Sequence, residues 1–354
     1  MWTRRSFLIG GAALASVPVA YELLVGQERG AKITSPVTPA ADKAIAQGLE
    51  YLTSQQHGNG SFGVGRYRGN LAITALGGLA LIAGGHLPGR GKYGHVIKRA
   101  LEFVLSQESS DPPGFLTNAA ASHGPMYGHG FATLFLAELQ GMIHDQPLRK
   151  STRECLERSV RVILRSQNRT GGWRYRPDAV DADISVTICQ IMALRSAKNA
   201  GILVPKEVAD RCIAYVKRCQ SARGSFRYMV EAEGDGIGFA RTAAGLVALN
   251  AAGVYKGPEI DRGLRFLMDC KPGDPRLRHD MHYFYGHYYA AQAMWTAGGE
   301  YWQTWYPAIR DDLLNGPRHR PDGSWFDHLC THYGTAMACI ILQIPNNYLP
   351  ILQK

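Results

Sequence analysis

The chain contains no CxxC pair, and its seven cysteines are an odd number. Cys212 and Cys219 lie seven apart in one helical stretch, ~10 Å along its axis and beyond the reach of a disulfide. A disulfide framework is therefore excluded, and Cys189 and Cys339, set in apolar helical runs, read as buried free thiols. Charged residues are only 19% of the chain against 45% hydrophobic, which excludes a disordered, solvating polymer. The 40 glycines recur at spaced positions and never gather into one flexible run. No basic-aromatic stripe or nucleic-acid motif accompanies the net charge of +10, so nucleic acid is not an expected partner. The basic balance fits solubility or an anionic membrane surface instead. The apolar run from Ile9 to Ala20 falls short of the ~20 residues needed to cross a bilayer.

What that run does have is a pair of arginines before it. Thr3-Arg4-Arg5-Ser6-Phe7-Leu8 followed by a short Gly/Ala-rich apolar stretch fits a twin-arginine export signal over residues 1–20. The expected location is outside the cytoplasm, periplasmic or membrane-associated, with the segment either cleaved or kept as an anchor. Free thiols are compatible with folding before export. Residues 21–40, with Pro36 and Pro39, read as a tether.

From residue 41 onward a repeat dominates. Amphipathic helical stretches start near Asp42, Gly94, Arg149, Lys206, Pro258 and Tyr301, each with charges on one face. Between them lie six apolar stretches rich in Ala and Gly: Leu71–Ala83, Gly130–Met142, Ile184–Ala200, Phe239–Ala252, Tyr285–Ala297 and Thr331–Leu342. A helix with one wet face belongs outside, and one apolar all round must be enclosed. The pattern predicts an all-α fold of six helix pairs, an inner ring of six helices within an outer ring of six. An open solenoid is the alternative packing. The long C-terminal stretch from Pro345 to Lys354 favours closure.

The linkers repeat as well. Gln55-Gln56 precede Gly60-Ser61-Phe62, Ser166-Gln167 precede Gly171-Gly172-Trp173, and Cys219-Gln220 precede Gly224-Ser225-Phe226. Gly114-Phe115 and Gly323-Ser324-Trp325 continue the series, while Asp269-Cys270-Lys271-Pro272-Gly273 lacks the aromatic. Glycine permits the sharp turn, the aromatic packs across the top of a helix pair, and the glutamine can bond the turn or a neighbouring repeat.

These Gln…Gly-x-Phe/Trp repeats resemble those of squalene and terpene cyclases and the Gly-Gly-Phe/Trp repeats of protein prenyltransferase β-subunits. The resemblance covers nearly the whole chain beyond the tether. It implies an (α/α)6 toroid, and an isoprenoid or other apolar lipid held in an aromatic-lined cavity. The chemistry is expected at the N-terminal ends of the inner helices, where unpaired N–H groups and positive dipole ends gather. The polar residues there are dense: Arg68, Asn70, His123, Asp178, Glu231, Asp235, Arg241, His279, Asp327, His328 and Cys330 besides those below.

Three constellations stand out. Asp181-Ala182-Asp183-Ile184-Ser185 resembles the D-x-D-D-T motif of class II cyclases, with Ile184 in place of the fourth carboxylate. The resemblance makes Asp183 the acid that protonates an alkene and Asp181 its partner; the residues by themselves better fit Asp183 as the N-cap of the following helix and Asp181 as a loop residue. Asp280-Met281-His282-Tyr283 resembles the Asp-x-Cys-Tyr zinc segment of prenyltransferases, with His282 for the cysteine and His332 where the last ligand falls. Zinc on Asp280, His282 and His332, or no metal, both fit. Trp173, Tyr175, Tyr127, His129, Tyr283, Tyr285, His287 and Trp325 are the expected cavity or substrate-binding residues, able to stabilise a carbocation by cation–π attraction. No DDxxD diphosphate motif is present, and the Gly-Cys-Gly-Glu-Gln thioester motif of complement-type toroids is absent. The expected activity is that of an isomerase of the terpene-cyclase kind. A noncatalytic protein- or lipid-binding toroid, a zinc-dependent prenyltransferase-like transferase and a glycoside-active barrel with paired carboxylates are the alternatives.

Overall fold

The computed structural model describes residues 37–120, 122–232, 238–277 and 280–353. The expected export segment, most of the expected tether, Asp235 and His279 lie outside the described residues. Within them the expected alternation is present. The amphipathic helices are α1 (Pro39–Ser54), α3 (Gly94–Ser106), α5 (Gln146–Ser166), α7 (Lys206–Cys219), α9 (Pro258–Met268) and α11 (Gly299–Asn315). The apolar ones are α2 (Leu71–Ala83), α4 (Pro125–Leu139), α6 (Ile184–Asn199), α8 (Phe239–Ala251), α10 (Tyr283–Ala297) and α12 (Thr331–Gln343).

Three helices start three or more residues before the expectation. α1 begins at Pro39, inside the stretch read as tether, because Thr38 caps it and proline suits the first helical turn. α5 begins at Gln146, capped by Asp145 through Leu148 N. α4 begins at Pro125, five residues early, again with proline in its first turn, so Tyr127 and His129 are helical residues. A short antiparallel hairpin, β1 (Glu108–Ser110) and β2 (Pro113–Leu116), lies between α3 and α4; these two strands escaped the repeat pattern.

Each inner helix packs on the next, and α12 packs on α2, so the ring closes. At the seam Gln343 Nε2 donates to Ala80 O (3.0 Å) and Gly63 N donates to His332 Nδ1 (2.9 Å). Small residues set the spacing. A Cβ on Gly78 would lie 2.4 Å from Phe135, and one on Gly245 would lie 2.5 Å from Phe226. All seven cysteines are buried and unpaired.

The linker motif is the mortar between repeats. Gln167 Nε2 donates both to Gly171 O in its own turn (2.8 Å) and to Val208 O on the next outer helix (2.9 Å). Gln56 does the same to Gly60 and Val96, and Gln220 to Gly224 and Glu259. Gly171 adopts φ +98°, and a Cβ there would meet Arg211 O at 2.3 Å. Gly323, at φ +82°, stands against Gln47 of α1 in the same way, which carries the repeat contact across the seam. The aromatic N–H then bonds a threonine near the start of the inner helix: Phe62 to Thr74, Trp173 to Thr187, Phe226 to Thr242 and Trp325 to Thr335, all 3.0–3.1 Å. In the second repeat Leu116, not Phe115, holds this place, and His129 replaces the threonine.

This topology sorts the connections by end. Six long linkers join the C-termini of outer helices to the N-termini of inner ones, and their described residues lie at one end of the ring. At the other end the C-terminal segment, with 3-10 turns at Ile344–Asn346 and Pro350–Leu352, crosses the ring. Trp295 Nε1 donates to Leu352 O (3.0 Å), and Ile351 N donates to Glu138 Oε2 (3.1 Å).

Candidate functional site

The long-linker end carries the polar cluster. Asp183 caps α6: its Oδ1 accepts from Ser185 N (2.8 Å) and Val186 N (2.9 Å). Its Oδ2 receives Arg174 Nη1 at 2.9 Å, and the side chain is wholly buried. Arg174 also reaches Asp181, Nε to Oδ2 3.2 Å, and donates to Tyr228 OH at 2.9 Å. Tyr228 and Tyr175 share a hydroxyl–hydroxyl hydrogen bond, and the guanidinium lies 4.4 Å from the Tyr175 ring centre. Asp183 is thus both the helix cap and the centre of an ion cluster. Burial pushes its carboxyl above the usual range, opposed by the Val186 N–H and Arg174.

Beside this cluster stand tyrosines from other inner helices, Tyr127 on α4, Tyr285 on α10 and Tyr333 on α12. The Tyr127 ring is 6.0 Å from that of Tyr175. Tyr285 OH donates to Ser185 O (3.2 Å), one residue into the helix that Asp183 caps. Tyr127, Tyr285 and Tyr333 are each only half-buried, yet burial pushes all three phenols well above the ordinary value. All three thus keep a partly accessible face within surrounding protein. Deeper in the ring the aromatics continue through Tyr289, 4.9 Å from Tyr285, and Tyr288, 4.8 Å from Tyr289, to Phe131. Cys189 Sγ lies 3.6 Å from Tyr289 OH.

Other expected cavity residues serve the frame. Trp173 and Trp325 are fully buried, their indole N–H groups donating to Ile163 O and Leu313 O, both 2.8 Å. His129 accepts from Leu116 N and bonds Ser159 O through Nε2; burial lowers its pKa to about 4. Tyr283 is buried and donates to Asp312. His287 is buried with neither ring nitrogen hydrogen-bonded, among Tyr283, Phe239 and Trp305. It stands where other repeats carry the threonine or histidine that accepts the aromatic N–H. In this repeat Pro275 falls two residues after the turn glycine, as the aromatics do elsewhere, and proline has no N–H to give. Burial lowers the His287 pKa to about 3.

The expected metal set is not assembled. His332 Nδ1 is occupied by Gly63 N, Asp280 Oδ1 accepts from His282 N (2.8 Å), and His282 is exposed. Among the described residues no three His, Cys, Asp or Glu side chains come together to hold an ion.

The sequence reading passed over Arg174, Tyr228 and Tyr333. A signal for Tyr228 was present: Phe226-Arg227-Tyr228 repeats Trp173-Arg174-Tyr175 at the same offset from the turn glycine. Both tyrosine carbonyls accept from the start of a preceding inner helix, Tyr175 O from Met126 N (3.1 Å) and Tyr228 O from Ile184 N (3.0 Å).

No protein-family model matches the chain, and no curated protein does. Solved structures do. The type II terpene cyclase MstE from Scytonema aligns over 88% of this chain and 99% of its own, at 16% identity and TM-score 0.54. The same cyclase in complex with geranylgeranyl dihydroxybenzoate aligns over 88% and 98%, at 14% and 0.57. An α-1,6-mannanase from Salegentibacter aligns over 86% and 99%, at 9% and 0.60. The chain has the α/α toroid fold. At these identities the likeness is one of architecture, shared by a cyclase and a glycan-cleaving enzyme.

Proposed function

We propose that this toroid binds an isoprenoid-type apolar lipid in the tyrosine-lined recess and protonates one of its alkenes from Asp183. The observation that carries the reading is the adjacency of two features at the start of α6. One is a buried carboxyl whose pKa is raised. The other is the group of partly accessible tyrosines Tyr127, Tyr285 and Tyr333, which would line the recess. An alkene accepts a proton only from a neutral acid, and burial favours that form. Once the proton has left, Arg174 and the two backbone N–H groups stabilise the remaining carboxylate, which makes the buried acid a stronger donor. The carbocation formed would face tyrosine rings, each contributing ~0.5–2 kcal/mol of cation–π stabilisation. Support also comes from the toroid of MstE, which holds a geranylgeranyl compound. With residues 1–20 acting as an export signal, the lipid would be met outside the cytoplasm.

A second reading has its own observation. Both oxygens of Asp183 already accept hydrogen bonds from groups that favour the anion. A carboxylate held in that state leaves a lipid-binding toroid without turnover. Glycoside cleavage fits less well, because Asp181 and Asp183 both turn to one guanidinium instead of flanking a bond. Incubating the full chain with squalene, beside Asp183→Asn, separates the first two readings. Cyclised product from the wild type that disappears in the variant supports protonation. Equal binding by both with no product supports the second reading, and no binding by either rejects both.

A further inference from the structure

We propose that the C-terminal segment from Asn347 onward is a pH-sensitive latch over the crossed end of the ring, released when Glu138 gives up its proton. The inference does not rest on the lipid reading, because it concerns the end away from Asp183. The segment is built as a separable piece. Asn347 stands in the left-handed region at φ +55° and turns the chain out of the 3-10 turn that follows α12. Asparagine tolerates that conformation better than most residues with a side chain. Beyond it Leu349 and Leu352 are buried against the ring. Leu352 O accepts from Trp295 Nε1 (3.0 Å), and Ile351 N donates to Glu138 Oε2 (3.1 Å).

Glu138 is the titratable part of that seat. It stands near the end of α4, is 1% exposed, and among the described residues no cation pairs with it. The groups that face it are the Ser196 hydroxyl on α6, the Ile351 N–H and, on α10, the phenol of Tyr288, itself kept neutral by burial. Neutral Glu138 satisfies the seat. With the proton on Oε1 the serine hydroxyl turns to accept it, and Oε2 still takes the Ile351 N–H. The anion has two neutral donors and almost no contact with solvent, which is unfavourable, so the carboxyl holds its proton up to about pH 7. The smallest rearrangement that hydrates it lifts the short stretch 347–353, whose one regular element is the turn Pro350–Leu352, and leaves the packed helices in place. Lifting it opens the ring on the side where Glu138 and Tyr288 lie. The folded pKa is raised, so the latch is firmest below the unfolded value of 4.5. Its hold weakens as pH rises from there to 7, then levels off.

The test is hydrogen exchange of the full chain, read on the C-terminal peptide that holds the Ile351, Leu352 and Gln353 amides and corrected for intrinsic exchange at each pH. Between pH 5 and pH 8 their protection in the wild type is expected to fall roughly 50-fold, with little further change above pH 8. Amides of α4 and α12 are expected to keep theirs, which separates release of the segment from unfolding of the ring. Glu138→Gln, neutral at every pH, is expected to hold the protection seen at pH 5 throughout. Leu352→Ala loosens the apolar seat without touching the carboxyl. It is expected to lower protection at every pH while keeping the pH dependence, and it serves as the test if Glu138→Gln fails to fold. Flat protection in the wild type, a fall in Glu138→Gln as steep as in the wild type, an equal loss in α12, or a flat profile in Leu352→Ala would each overturn the proposal.

Discussion

Asp183 shows how one side chain can carry two readings at once. Cap and acid looked like rivals in the sequence, but the structure gives the carboxylate two distinct oxygens, one for the helix N–H groups and one for Arg174. Asn in its place keeps the capping oxygen but turns an NH2 donor toward Arg174, so Asp183→Asn is expected to cost about 2–4 kcal/mol in denaturant unfolding, while any cyclised product disappears. Arg174 was not legible, since a lone arginine in a linker reads as solvated. Its role depends on two acids and a tyrosine from the next repeat converging on it. His287 is the converse case. An unpartnered imidazole in an aromatic pocket destabilises, so His287→Leu is expected to leave neutral-pH stability unchanged or raise it by about 1 kcal/mol. The same histidine sets a pH limit together with His129 and His332, whose pKa values burial lowers to about 3, 4 and 4. Stability from neutral burial is present above the unfolded value of 6.5 and is lost as pH falls through the folded values. Melting temperature is expected to drop below pH 6.5, and less steeply in His287→Leu.

At the scale of elements, periodicity made most of the architecture readable. Helices apolar all round had to be inner and one-faced helices outer, so all twelve were foreseen. The hairpin and the start of α4 were not, because their linker departs from the repeat and Pro125 begins a helix instead of ending one. The glutamine of each motif does more than the sequence implied, bonding its own turn and the next repeat together. Gln167→Ala leaves two carbonyls without that donor, and is expected to cost about 2 kcal/mol. Gly245→Ala, which drives a Cβ against Phe226, is expected to cost about 1–3 kcal/mol. Thermal melts of both variants check these values. Between α4 and the C-terminal segment, buried Glu138 accepts from Ser196 Oγ and Ile351 N, and burial raises its pKa to about 7. Here the folded state holds the proton more tightly. The contribution is full below the unfolded value near 4.5 and is lost as pH rises through 7, by about 3 kcal/mol at most. Glu138→Gln is expected to flatten that alkaline side of the stability profile.

For the whole molecule, closure turns six similar pairs into one enclosed aromatic interior with a polar end and a crossed end. The sequence conveyed the ring through its six alternating pairs and the stretch from Pro345 that favoured closure. It did not convey the recess, because which tyrosines remain accessible depends on how linkers from distant repeats meet. Tyr333 stands at the start of the last inner helix, far along the chain from Tyr127, so no local pattern links the two. The expected zinc set failed to form for the same kind of reason: the seam uses His332 to accept Gly63 N. The central claim is that this recess is a binding site for an isoprenoid lipid. The most direct measurement is equilibrium binding of squalene to the full chain in detergent, wild type beside Tyr127→Ala/Tyr285→Ala. The account predicts one ligand per chain and an affinity at least about tenfold weaker in the double variant. No binding above the detergent background, or equal binding by the two proteins, would contradict it.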